Sequence, residues 1–169
     1  VRAARATGRG VLICGAHTSA FNLGFLSFAI TGDFPILALS ADMPAGGYQV
    51  VHDLLTRGAI ENLPIDTGSL RKAILRLRAG GVALTGVDWP VGATERIPFF
   101  GRLAQLQSGY IRLAMSANAL LVPLACRWTA ERGYYAETHP PLELELTGDR
   151  EADLLHNVRR VLSIIEGWI

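Results

Sequence analysis

The chain predicts an α/β domain: a largely parallel central sheet with helices on both faces. Three observations point there. Apolar runs of strand length recur, and they are continuous rather than alternating, as strands covered on both faces are. Segments of helical period stand between them. Gly and Pro punctuate most of the boundaries. Strands alternating with helices in this way build a parallel sheet.

Val1–Arg9 is a basic lead-in, broken by Gly10. Val11–Ala16 reads as the first strand. Ser19 is placed to cap a helix whose stripe is Phe21, Phe25 and Phe28 or Ala29, ended by Gly32. Pro35–Ser40 reads as a second strand, followed by a turn-rich loop from Asp42 to Gly47. Tyr48–Thr56 has the pattern of a short amphipathic helix, with Gly58 as its left-handed cap. Ala59–Ile65 fits a third strand, although Pro64 weakens it. Ser69 is expected to cap a helix over Leu70–Ala79, which Gly80-Gly81 ends. Val82–Val87 is the fourth strand and runs into Asp88. From Trp89 to Ser108 no period holds, and about twenty irregular residues inside a domain are usually functional. Gly109–Ala117 is a helix. Ala119–Trp128 is a fifth strand, in which Pro123 points to an edge or a bulge. Gly133–Thr138 is its antiparallel partner, His139-Pro140-Pro141 breaks the pairing, and Leu142–Leu146 alternates as a half-exposed strand. Asp149–Ile169 is a long amphipathic helix, with Leu154, Leu155, Val158, Val161, Leu162 and Ile165 inward.

The totals bound the function. The length of 169 residues suggests one domain with room for a sizeable core. The chain is 50% hydrophobic and 18% charged, with mean hydropathy +0.27. That is apolar for a soluble domain and points to an apolar groove or a membrane contact. A net charge of +1 gives no reason to expect nucleic acid as a partner. Cys14 and Cys126 lie inside apolar runs and read as buried thiols. His17, His52, His139 and His156 are scattered, with no metal-ligand spacing. No secretory signal and no run long enough to span a bilayer appear. The ends, Val1 and Trp168-Ile169, look cut from a longer chain.

The candidate chemistry sits where the strands end. In open α/β sheets ligands bind beyond the carboxyl ends of the strands. His17 follows the first strand, Asp88 follows the fourth, and Glu95 lies in the stretch after it. An imidazole acting as a base needs a partner on its other nitrogen, to fix the tautomer and stabilise the imidazolium. Asp88 and Glu95 can do both. Asn22 can accept a hydrogen bond but supplies no charge. No Gly-x-Ser-x-Gly elbow appears, which disfavours an α/β hydrolase or thioesterase.

His17-Thr-Ser-Ala-Phe-Asn22 resembles the histidine-x4-acid motif of glycerolipid and lipid A acyltransferases. Arg57-Gly58, the run Ile65–Ile74, Gly80-Gly-Val82 and Asp88 are similar, in order and spacing, to the bacterial lipid A late acyltransferase branch. That branch includes the phosphatidylinositol mannoside acyltransferases. Pro98-Phe-Phe-Gly-Arg102 resembles its most recognisable motif, Leu121-Val-Pro-Leu124 its apolar-Pro strand, and Glu166-Gly-Trp-Ile169 the start of its C-terminal signature. The resemblance covers nearly the whole chain. It implies a glycerolipid-acyltransferase-like αβ fold, read here as a single domain over 1–169 that is a fragment. An N-terminal membrane-anchoring segment and a C-terminal extension are expected beyond it.

The resemblance also implies a reaction: transfer of a fatty acyl group from a thioester, acyl carrier protein or coenzyme A, to a lipid or glycolipid hydroxyl. His17 would be the general base, with no cofactor. Backbone N–H groups at the helix start after Ser19 are candidates to hold the oxyanion. Arg57, Phe99, Phe100, Gly101 and Arg102 are the expected substrate-binding residues. A lipid acceptor, the acyl donor thioester, an acyl carrier protein and a membrane surface are the expected partners. The expected location is the cytoplasmic face of the inner membrane. Asn22 departs from the motif, which has Asp or Glu at this position. Three readings follow: Asp88 or Glu95 supplies the charge; the enzyme works slowly with Asn22 as an orienter; or the domain is catalytically impaired and binds lipid or acyl carrier only.

Overall fold

Continuous apolar runs end up at the centre of a sheet because only there are both faces of a strand covered. The computed structural model describes residues 1–18, 21–24, 27, 34–41, 53 and 60–169. Among them, β1 (Val11–Gly15), β2 (Ile36–Ser40), β3 (Ile60–Pro64), β4 (Val82–Gly86) and β7 (Leu120–Thr129) lie parallel in the order β3-β2-β4-β1-β7. β8 (Gly133–Thr138) closes the edge antiparallel to β7. The expected mixed α/β architecture with a mostly parallel sheet is the one observed. β1 is buried along its whole length. Its even residues, Leu12 and Cys14, face a layer built from α2 (Thr67–Arg78), α3 (Gly109–Ala117) and α4 (Arg150–Glu166). Its odd residues, Val11 and Ile13, face the opposite layer, with Ala4 of the short α1 (Arg2–Arg5), Phe34 and Phe21. No helix of the described residues is long and apolar enough to cross a membrane.

Three local expectations are corrected. The cap of α2 is Asp66 rather than Ser69: the Ser69 N–H donates to Asp66 Oδ1 at 2.7 Å. An ionised carboxylate three residues ahead is the stronger acceptor. The Ser69 hydroxyl is therefore not what starts this helix.

Trp89–Ser108 is not irregular throughout. It contains an antiparallel hairpin, β5 (Thr94–Phe99) and β6 (Arg102–Gln107), closed by Phe100-Gly101. Both turn residues have positive φ, 50° and 70°, the signature of a type I′ turn. Gly101 tolerates this freely, whereas Phe100 does not. The Phe100 N–H is held by the Glu166 carboxylate of α4, which ties the hairpin tip to the helix end. Pro98 hides the strand in the sequence. It faces Leu103 in a pair that exchanges no backbone hydrogen bonds, so its missing N–H costs the ladder nothing.

Leu142–Leu146 does not form a strand; only Leu142 bridges to Leu121. The following backbone bonds to side chains of α4 instead. Asn157 pairs with both the N–H and the C=O of Glu145, and Asp153 accepts from Thr147 and Gly148. Pro123 sits inside β7 at the point where this edge changes partners. Its C=O accepts from His139 N–H at 3.0 Å, and the Pro140-Pro141 break lies just beyond. The expected loop Asp42–Gly47 and helix Tyr48–Thr56 lie outside the described residues, apart from Asp53. So does most of the helix expected after Ser19; Phe21–Gly24 and Ser27 are helical.

Candidate active site

Neighbouring parallel strands bring two side chains to one corner. Gly15 of β1 stands opposite Gly86 of β4, and the Val87 N–H still donates to the Gly15 carbonyl at 3.0 Å. Two residues beyond each glycine, His17 and Asp88 leave the sheet side by side. The carboxylate of Asp88 clasps His17 twice. Oδ2 accepts from the backbone N–H of His17 at 2.8 Å, and Oδ1 meets ring Nδ1 at 2.8 Å. The loop is also tied on its other flank, where the Thr18 hydroxyl donates to the Cys126 carbonyl at the far part of β7. Thr18 N–H turns back to Ala16 C=O at 2.9 Å. The loop that carries the imidazole is thus tied on both flanks of β1, to Asp88 just beyond β4 and to Cys126 of β7.

The ring fits its corner because Gly86 has no side chain. A Cβ there would stand 2.7 Å from His17 Cε1. Phe21 packs on the ring at 4.3 Å between centroids, and Trp89 stands at 6.3 Å, edge to face. The His17 side chain is 42% exposed and that of Asp88 27%. Burial pushes the Asp88 carboxyl up. The hydrogen bonds from the His17 ring and backbone, with the charge on the ring, outweigh burial and hold it below the usual carboxylate range. An ionised carboxylate can only accept, so Nδ1 carries the hydrogen of this pair. That assigns Nε2 as the open nitrogen. It has no partner among the described residues.

The other expected site residues fall elsewhere. Glu95 is not brought to the ring; its Oε1 meets Arg112 Nη2 at 3.4 Å. Asn22 lies on the helical turn after Phe21 with its side chain exposed. Phe99 packs against the core, while Phe100 at the hairpin tip is 54% exposed. Because the turn interrupts the extended chain, their rings do not point apart but meet at 4.7 Å. Gly101 forms the turn with Phe100, and Arg102 follows, exposed, opposite Phe99. Arg57, Ser19 and Ala20 lie outside the described residues. The sequence reading passed over Gly86, Phe21 and Trp89 as ring neighbours. The signal for Trp89 was its place directly after Asp88, where it reads first as a turn residue.

On the other face of β4 lies an apolar cleft of about 240 Å³, with Leu39, Ile65, Leu70, Ile74, Val91 and Leu113 in its walls. Thr85 lines the cleft, whereas Gly86 holds the imidazole, since successive strand residues face opposite sides. Among the described residues, none of 21–24, 27 or 97–100 lines this cleft. The loop from Asp88 to Ala93 joins the two places. Its first residues meet His17, and Val91, Gly92 and Ala93 wall the cleft.

Comparison with known proteins gives one family. The family model described as bacterial lipid A biosynthesis acyltransferase matches residues 1–169. Among curated proteins no match is found.

Proposed function

Since this chain belongs to the bacterial lipid A biosynthesis acyltransferase family, we propose that it transfers an acyl group from a thioester to a lipid hydroxyl, with His17 as the base. The observation that supports this most is the double clasp of His17 by Asp88. It leaves Nε2 open and gives the ring a charged partner.

The steps follow from that geometry. An acceptor hydroxyl donates to Nε2 and attacks the thioester carbonyl as its proton passes to the ring. Asp88, already ionised, stabilises the imidazolium through Nδ1. The tetrahedral oxyanion collapses, the C–S bond breaks, and the thiolate leaves as a thiol, taking from Nε2 the proton that the acceptor hydroxyl gave up. No covalent enzyme intermediate is needed. General base catalysis of this kind contributes ~10² to 10⁴ in rate. The apolar cleft, one loop away, is the candidate seat for the acyl chain. Acyl carrier protein and coenzyme A are both suitable donors. The exposed aromatic side chains are compatible with work at a membrane surface, on its cytoplasmic face.

The impaired reading rested on Asn22. It loses force because the position it would weaken, the partner of Nδ1, is filled by Asp88. The test is thioester consumption across lipid and glycolipid acceptors, with and without His17→Ala. The expected result is acceptor-dependent release of thiol, reduced ~10² to 10⁴-fold by the substitution. Equal rates for both proteins would overturn the assignment.

A further inference from the structure

We propose that Phe21 is a positioning residue for the base: seated beside His17 on a rung of the sheet that carries no side chains, it fixes the plane of the imidazole and with it the direction of Nε2. This rests on the acyl-transfer reading and adds a residue that sets its rate. The seat is built by the pairing of β1 with β4. Val11 stands opposite Val82, Ile13 opposite Leu84 and Gly15 opposite Gly86, all on one face. The first two rungs fill that face with branched side chains. The third leaves it bare over both strands, and two rings lie on it. A Cβ on Gly86 would stand 2.7 Å from His17 Cε1, and a Cβ on Gly15 3.3 Å from Phe21 Cε2. The rings meet at 4.3 Å between centroids, tilted by 45°.

Phe21 is itself held. Its N–H donates to the Thr18 carbonyl at 3.0 Å, and the Thr18 hydroxyl donates to the Cys126 carbonyl. One helical turn on, Gly24 lies so close to β7 that a Cβ there would overlap Cys126 Sγ. Residues three apart share a helix face, so the turn that presses Gly24 onto the sheet presses Phe21 onto it as well. The imidazole needs such a neighbour. Asp88 fixes one ring atom, Nδ1, and hydrogen-bond directions at an oxygen are broad enough to let the plane tilt about that point. With 42% of the His17 side chain exposed, its open side does not stop the tilt. Gly86 beneath the ring and Phe21 beside it do. A tilt swings Nε2 out of line with the acceptor hydroxyl, and a misplacement of about 1 Å can cost ~10²-fold in rate. Asp88 thus sets the tautomer, and Phe21 sets the aim.

The experiment centres on Phe21→Leu, which keeps apolar bulk but offers no flat face. Its first arm needs no turnover: carbon-13 relaxation of the His17 Cε1–H bond, with His17→Ala assigning the resonance among the four histidines. The ring should be rigid in the unaltered protein and in Phe21→Tyr, and mobile in Phe21→Leu. The second arm is kinetic. In Phe21→Leu kcat should fall roughly 10- to 100-fold while the KM of donor and acceptor stays the same, and Phe21→Tyr should recover most of the loss. Gly15→Ala alters only the seat of Phe21 and leaves His17 and Asp88 untouched. It should also loosen the ring and lower kcat, but cost little more once Phe21→Leu is present, since both act through one contact. A ring as rigid in Phe21→Leu as in the unaltered protein, a loss carried by KM, or costs of the two substitutions that simply add would overturn the proposal. A ring loosened by Phe21→Leu in a protein that consumes no thioester would leave Phe21 as what holds the imidazole and sink the acyl-transfer reading instead.

Discussion

Two aspartates of this protein are both held below the usual carboxylate range, and they do opposite things. Asp153 lies in the first turn of α4, buried, and accepts from Thr147 N–H at 2.8 Å, the Thr147 hydroxyl at 2.7 Å and Gly148 N–H at 3.2 Å. Beside it, fully buried Asn157 closes on Glu145 N–H and C=O, on Asp153 C=O and on Arg160. Every polar group there ends on another group of the protein. Asp88 also accepts two hydrogen bonds, but one comes from a ring whose far nitrogen is open. The lowered pKa is common to both regions and so does not mark the site. What differs is whether the chain of hydrogen bonds closes inside the protein or stops at a group able to take a proton from a ligand.

Substitutions should separate the two regions. The largest effect is expected for Asp88→Asn. It keeps the size and much of the geometry but removes the charge opposite Nδ1, so turnover should fall by ~10² or more, with the donor KM little changed. Asn157→Ala should do the reverse. It strips partners from the part-buried backbone N–H and C=O of Glu145, and urea denaturation should show a loss of about 1–2 kcal/mol. Turnover per folded molecule should stay the same.

A smaller effect concerns acid. A carboxyl whose pKa is lowered on folding contributes stability that is fully present above its unfolded value, ~3.9. That stability is lost as pH falls through the lowered folded value. Both aspartates should therefore steepen the acid limb of a Tm-versus-pH curve. Asp88→Asn and Asp153→Asn should each flatten it, while only the former changes turnover. The smallest effect is expected for Asn22→Asp. Restoring the motif acid on an exposed turn, with Nδ1 already taken by Asp88, should leave turnover and stability close to those of the unaltered protein. A large gain would show that position 22 and not Asp88 governs the ring.

The parts of the fold legible in the sequence were those with unbroken patterns. Val11–Ala16 and Val82–Val87 read as doubly covered strands, and the observed β1 and β4 are the centre of the sheet. Their parallel pairing is also why His17 and Asp88 could be placed on one edge from spacing alone. The hairpin was not legible, because its two signals are disguised. Pro98 argues against a strand, and a Phe stands in a turn position that normally takes Asn, Asp or Gly. The Leu142–Leu146 stretch misled in the opposite way. It alternates like a strand, but Glu145 and Glu143 bond to Asn157 and Arg160, side chains of a helix 12 and 17 residues later, and no local pattern announces them. At the site, the roles of Asp88 and Glu95 could not be separated by sequence. Both follow β4, and only the pairing of Glu95 with Arg112 distinguishes them. The fit of the imidazole over Gly86 was equally out of reach, since a glycine at a strand end reads first as a turn.

The claim at the centre of this account is that Asp88 fixes the tautomer of His17 and leaves Nε2 as the base. Nitrogen-15 NMR of the imidazole, at a pH where the ring is neutral, tests it most directly. The account predicts a proton on Nδ1 and a bare Nε2, unchanged in Asn22→Asp and lost as a fixed tautomer in Asp88→Asn. A proton on Nε2 in the unaltered protein, or a tautomer indifferent to Asp88→Asn, would contradict it.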